Sequence, residues 1–159
     1  MDFRIVKAPD LLGWEQYFRA INTAWLEELF TVTPADERQL NAAPAILENG
    51  GAVLFVLKDD VPVGTAALIL EKNGDVELAK MGVQKAWRGK GAGRLLMDAC
   101  LEEAGALAQG VIFLETLHIL EPAVRLYESV GFVKAGEEHV HPLFGRTTFR
   151  MELLRRSVL

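Results

Sequence analysis

Apolar residues near the start of the chain recur at steps of three and four: Leu11, Trp14, Phe18, Ile21, Trp25 and Leu29. That is the period of an amphipathic helix, and it predicts one between Pro9 and Phe30. A short strand, Phe3 to Lys7, precedes it. Thr33-Pro34 then reads as a cap followed by a proline at the first helical position. A second helix is predicted from there to about Leu47, stopped by Asn49-Gly50-Gly51. Ala52 to Leu57 and Val61 to Leu70 read as two strands joined by a turn around Asp59-Asp60. Asn73-Gly74 is a tight hairpin turn into a third, roughly Asp75 to Val83. A helix from about Ala92 to Ala108 has Leu96, Cys100, Ala104 and Leu107 as one apolar row, widened by Leu95 and Ala99. Val111 to Leu114 is a short strand of the kind buried on both faces. A last helix covers about Glu121 to Val130, with Pro122 near its start and Gly131 as its stop. Phe132 to Glu138 and Thr147 to Leu154 supply two final strands.

The order is strand, two helices, three strands, helix, strand, helix, two strands. A mixed α/β sheet with helices packed on its faces is the economical arrangement. At 159 residues, with no repeat and no Pro, Gly or Ser-rich linker, one domain over 1–159 is expected.

Composition narrows the function classes. Half the residues are apolar and a quarter charged, as in an ordinary globular protein. No uncharged apolar run approaches the roughly 18 residues of a membrane span, and MDFRIVKAPD lacks the pattern of a signal peptide. One cysteine, Cys100, cannot form an internal disulfide, so a cytoplasmic location is expected. A net charge of −5 disfavours nonspecific nucleic-acid binding and is compatible with a cationic substrate such as an amine.

The stretch Gln84 to Arg94 carries the strongest chemical signal. A strand leads into a turn with Gly89, Gly91 and Gly93, and a helix begins inside that turn. Glycines there permit positive φ and close approach of a ligand. The first helical turn aims unpaired N–H groups and the positive end of its dipole at one spot, which suits a pyrophosphate. Arg88, Lys90 and Arg94 add positive charge. The spacing fits neither a P-loop nor a dinucleotide-binding fingerprint.

Arg88-Gly89-Lys90-Gly91-Ala92-Gly93 resembles the Arg/Gln-x-x-Gly-x-Gly/Ala element with which GNAT acetyltransferases hold the CoA pyrophosphate. Leu78 to Val83 resembles that family's fourth strand. Ala123-Val124-Arg125-Leu126-Tyr127-Glu128-Ser129-Val130-Gly131-Phe132, about thirty residues downstream, resembles its Ala-x-x-Leu-Tyr-x-x-x-Gly-Phe segment. The likeness runs from about Ala52 to Phe132 and is weaker over the N-terminal helices. It implies a twisted, mostly antiparallel sheet of six to seven strands flanked by about four helices. It further implies an N-acetyltransferase using acetyl-CoA as co-substrate, with direct attack by an amine in a ternary complex. A non-catalytic acyl-CoA sensor and an enzyme for longer acyl donors are the alternatives. Homodimerisation is compatible with the family.

The resemblance assigns cofactor contacts to Met81, Gly82 and Val83 as well as to the residues from Arg88 to Arg94. An interior strand glycine such as Gly82 marks either a bulge admitting a ligand or close packing. Tyr127 falls at the position whose phenol lies near the CoA sulfur and is the candidate acid. On helical spacing alone it would be a core residue beside Ala123, Leu126 and Val130. Glu77 is the candidate base, directly or through a water, on a face expected to include Ala79, Met81 and Val83. Glu71 and Glu115 are its rivals. Leu120 stands where the family often has an asparagine on the pantetheine arm, leaving Glu115, Thr116 or His118 to line the site. His139 and His141 lack metal-ligand spacing. Trp14, Trp25 and Phe30 are either core or acceptor-pocket walls.

Overall fold

The apolar runs at Ala52–Lys58 (β2) and Val61–Leu70 (β3) pair as a hairpin, with Asp59 and Asp60 turning at positive φ. Around that hairpin, in a computed structural model describing residues 2–154, one sheet is built from both ends of the chain. Its other strands are β1 (Phe3–Lys7), β4 (Val76–Val83), β5 (Ile112–Thr116), β6 (Phe132–Val140) and β7 (Thr147–Leu153). The spatial order is β1-β2-β3-β4-β5-β7-β6, antiparallel except for β4 beside β5.

The two-residue period of β2 and β3 feeds two cores. Leu54, Val56 and Leu68 face the helix Ala92–Leu107 (α4), meeting Leu96, Met97 and Cys100. Val53, Phe55 and Ala67 face the opposite layer, where Trp14, Phe18 and Leu26 of the helix Trp14–Leu29 (α1) pack. Buried Leu96, Cys100 and Ala104 match the expected row, but Met97 widens it, while Leu95 is exposed. Among the described residues no helix is long and apolar enough to cross a membrane.

Three expectations need correction. Helix α1 begins at Trp14 rather than Pro9, its start set by Gly13 at φ 75°. The single helix expected to Leu47 is two, α2 (Pro34–Asn41) and α3 (Ala43–Glu48), so with α1, α4 and Glu121–Ser129 (α5) the described residues hold five α-helices rather than about four. Pro44 explains the break, since it donates no N–H and its ring opposes the carbonyl one turn back. Thr33 and Asp36 close a reciprocal capping box at the start of α2.

The third correction concerns β4. Its register against β3 slips between Thr65 and Ala67, and Lys80 takes φ 53° at that bulge. The alternation therefore flips. Val76 and Leu78 before it, and Met81 and Val83 after it, all pack on the α4 side. Glu77 thus does not share a face with Met81 and Val83, as strict two-residue counting expects. Beyond the pairs Val76–Ile112 and Glu77–Phe113, β4 and β5 make no further pairing. The sheet is split there.

Candidate active site

The split opens into a cleft of about 310 Å³ between α1, the end of β4, the start of α4 and α5. Met81, Gly82 and Val83 form one wall. Arg88, Gly89 and Gly93 bring the glycine turn to it, and Tyr127 and Leu120 close it from α5. Lys90, Gly91, Ala92, Arg94 and Glu77 do not line it.

Gly89 and Gly91 adopt φ 73° and 93°, a conformation that strains any residue with a Cβ. A Cβ at either would meet nothing within 4 Å, so this rim is open. The helical ladder of α4 starts with Leu95 N–H on the Gly91 carbonyl. Ahead of it, the N–H groups of Ala92, Gly93 and Arg94 lack a carbonyl one turn back. Ala92 is wholly buried, backbone included, so the N–H groups within reach of a ligand are those of Gly93 and Arg94.

The basic residues are held nearby. Arg88 donates to both oxygens of Glu28, at 2.8 and 2.9 Å, and through Nε to the Val83 carbonyl at 2.9 Å. The hydrogen bond from Arg88 holds the Glu28 carboxyl below its usual range. Lys90 lies over the Trp87 ring and Arg94 pairs with Asp98. Arg94 and Asp98 are both exposed, and such a pair is weak.

Gly82 is glycine because of α1: a Cβ there would stand 2.5 Å from Trp25 Cδ1. Trp25 is oriented by its indole N–H on Asn22, whose buried amide in turn donates to the Phe18 carbonyl. Trp25 walls this cleft, Trp14 is buried core, and Phe30 lies beneath the Arg146 guanidinium.

Tyr127 is edge-on to Phe132, with ring centroids 6.1 Å apart. Burial, helped by the neighbouring Cys100 thiol, pushes its phenol up to about 12, so it is protonated at neutral pH. Leu120 presents an apolar wall where an asparagine would be polar. Thr116 is buried with an unpartnered hydroxyl on the side of Ile112 and Leu114. His118 stacks on Phe149 and pairs with Glu138.

The opposite face of β4 is polar. Burial pushes the Glu77 carboxyl up to about 7, with Glu71 and Glu115 adding repulsion against the opposing pull of Lys80 and Arg150. Its rivals have other roles: Glu115 accepts from Thr148 at 2.6 Å and lies 3.1 Å from His139 Nε2, and Glu71 is exposed. Burial lowers the Lys80 ammonium and the His141 imidazole. Over this face lies the β6–β7 connection, tied to α2 by Arg146, which donates to both oxygens of Asp36 at 2.8 and 2.7 Å.

Sequence reasoning missed Glu28, Lys80 and the Asp36–Arg146 pair. Glu28 and Arg88 lie 60 positions apart, and Asp36 and Arg146 lie 110 apart, so no local spacing announces either.

The chain is similar to known proteins in sequence and in fold. Human N-acetylaspartate synthetase is 32% identical over 146 residues, covering 91% of this chain and 47% of that protein. The Danio rerio N-acetylaspartate synthetase is 34% identical over 99 residues, covering 62% and 35%. The chain thus spans about half, or less, of the length of these curated relatives. An acetyltransferase from Streptococcus agalactiae superposes with TM-score 0.80 at 17% identity, covering 96% of this chain and 98% of that one. The Salmonella typhimurium protein yncA, solved with its cofactor acetyl-CoA, gives 0.73 at 22%, covering 95% and 92%. These two likenesses establish the fold. Residues 14–132 match the model of the acetyltransferase (GNAT) family, and the chain belongs to that family.

Proposed function

We propose that residues 1–159 act as a single acyl-transfer domain that moves an acetyl group from acetyl-CoA to a primary amine. The observation that carries this reading is the cleft itself, where the glycine turn, the unpaired edge of β4 and Tyr127 meet. Acetyl-CoA would supply an activated acyl group as a thioester. The N–H groups of Gly93 and Arg94 are assigned to its pyrophosphate, with Ala92 packed beneath them. The backbone of Met81 to Val83, past the last β4–β5 pair, is assigned to the pantetheine arm and the acyl carbonyl.

Chemistry then needs two proton movements. As the C–N bond forms and the C–S bond breaks, Glu77 takes a proton from the amine, through water because it lies on the other face of β4. Tyr127 gives a proton to the departing sulfur. The likeness to the N-acetylaspartate synthetases supports an amino acid as the acceptor. We place the chain in the cytoplasm on its lone buried thiol, Cys100, which burial pushes up to about 12 and leaves unreactive. A second copy of the chain is a candidate partner, checked by light scattering.

Calorimetric titration of acetyl-CoA into the parent and Gly91→Glu tests the cradle. Binding by the parent and its loss in the variant, followed by CoA release on adding amines, is the expected result. No binding by the parent ends the reading.

A further inference from the structure

Lys80 stands apart from the machinery just described. Among the described residues it is the one non-glycine residue outside a hairpin turn with positive φ. Such a conformation persists where the surroundings enforce it, and it concentrates at functional sites. The bulge turns Lys80 away from the acetyl-CoA cleft and into a separate pocket of about 180 Å³ beneath α2 and α3. Ala42, Ile46 and Ile69 supply apolar walls, Gln39 and Asn49 supply amides, and Lys80 is the sole charged residue lining it.

Lys80 is half-buried, and among the described residues no carboxylate lies within ion-pairing distance of it. Its close contact is the Phe144 ring, 4.6 Å from Nζ. The nearby Asp36 is already claimed on both oxygens by Arg146. Glu77 and Asp36 act on it only through space, without a bond, so an incoming anion at bonding distance would offset the cost of its burial. Position in the strand matters as much. Lys80 lies between Glu77, the assigned base, and Met81-Gly82, the assigned acyl position. Ile69, opposite Glu77 in the sheet, lines the same pocket. Lys80 is thus three residues from the assigned base and next to the assigned acyl position along one strand.

We propose that Lys80 anchors the carboxylate of the acceptor, so that this pocket selects small carboxylate-bearing amines, amino acids in chemical class. The inference rests on the acyl-transfer reading and sharpens it. The overall net negative charge of the chain argues, if anything, for a cationic acceptor, but the local charge in this pocket is positive.

The test compares aspartate, glycine and the dimethyl ester of aspartate as acceptors for the parent, Lys80→Met and Lys80→Arg. The parent is expected to favour the free acids. Losing one charge-assisted bond should raise the aspartate KM of Lys80→Met roughly 10- to 100-fold. Its kcat should change by no more than a few-fold, with acetyl-CoA affinity unchanged by calorimetry, and Lys80→Arg should restore selectivity. Equal use of acid and ester by the parent overturns the proposal. So does a Lys80→Met variant whose KM is intact while kcat and its pH profile shift, since Lys80 would then only tune Glu77. If Lys80→Met fails to fold, Lys80→Gly removes the charge and relieves the backbone. Should no amine release CoA, acyl transfer fails, and calorimetric titration of aspartate into the CoA-saturated parent and variant still reads the anchor.

Discussion

The indole of Trp25 occupies the space in which any side chain at Gly82 would have to stand, 2.5 Å from the position of its Cβ. Helix α1 is thereby seated directly on β4 where the cleft assigned to acetyl-CoA is walled. Gly82→Ala should push the helix outward, costing about 1–3 kcal/mol and lowering Tm by roughly 3–10 °C. Acetyl-CoA affinity should fall with it. Thermal melts and titrations of Gly82→Ala, Trp25→Ala and the double variant check this. The double variant should lose less than the sum, and strict additivity would show that the contact is not the cause.

Tyr127→Phe keeps the ring against Phe132 and removes only the hydroxyl. With the phenol pushed up to about 12, its proton is present throughout the neutral range and contributes no limb to the pH profile there. The variant should lose about 10²-fold in kcat at unchanged acetyl-CoA affinity. An unaltered kcat would reduce Tyr127 to a core residue.

Glu77 gives a pH signature of its own. As a base with a pKa of about 7, it predicts kcat/KM rising with pH to a plateau above that value, and Glu77→Gln should abolish the rise. Stability moves the opposite way. A carboxyl raised on folding contributes stability that is full below its unfolded value near 4.5 and lost as pH rises through 7. Glu77→Gln should therefore be the more stable protein above pH 7, by on the order of 1–2 kcal/mol, and match the parent below about pH 4.5. Denaturant titrations at pH 4 and pH 8 check the sign.

Much of this arrangement is legible in the sequence. The change of apolar period from helix to strand at Ala52, and the glycine turn before Ala92, locate the sheet and the cradle. What stays hidden has identifiable causes. Glu77, Ala79, Met81 and Val83 read as one unbroken alternation, because a bulge inserts a residue without altering which residue types are present. Only the strained backbone at Lys80 reveals that the strand changes face. The ion pairs Glu28–Arg88 and Asp36–Arg146 depend on how distant segments meet, which no local spacing encodes. Pro44 is the contrary case: its breaking of the α2–α3 helix follows from the chemistry of proline alone.

The Asp36–Arg146 pair should govern the acceptor side without touching the acetyl-CoA side. Asp36 is 2% exposed and also closes the cap of α2, while Arg146 belongs to the β6–β7 connection above Lys80. The Arg146 hydrogen bonds, against the cost of burial, hold the Asp36 carboxyl down to about 2. A lowered carboxyl contributes stability that is present above its unfolded value near 3.8 and lost as pH falls through 2. Asp36→Asn leaves a largely buried guanidinium without its anion and should cost about 2–4 kcal/mol at neutral pH. That difference should shrink as the parent is acidified through the same window. With the connection released, KM for the acceptor should rise while acetyl-CoA affinity holds. A variant that loses acetyl-CoA binding in the same proportion would show that the clamp supports the whole fold rather than one side of the site.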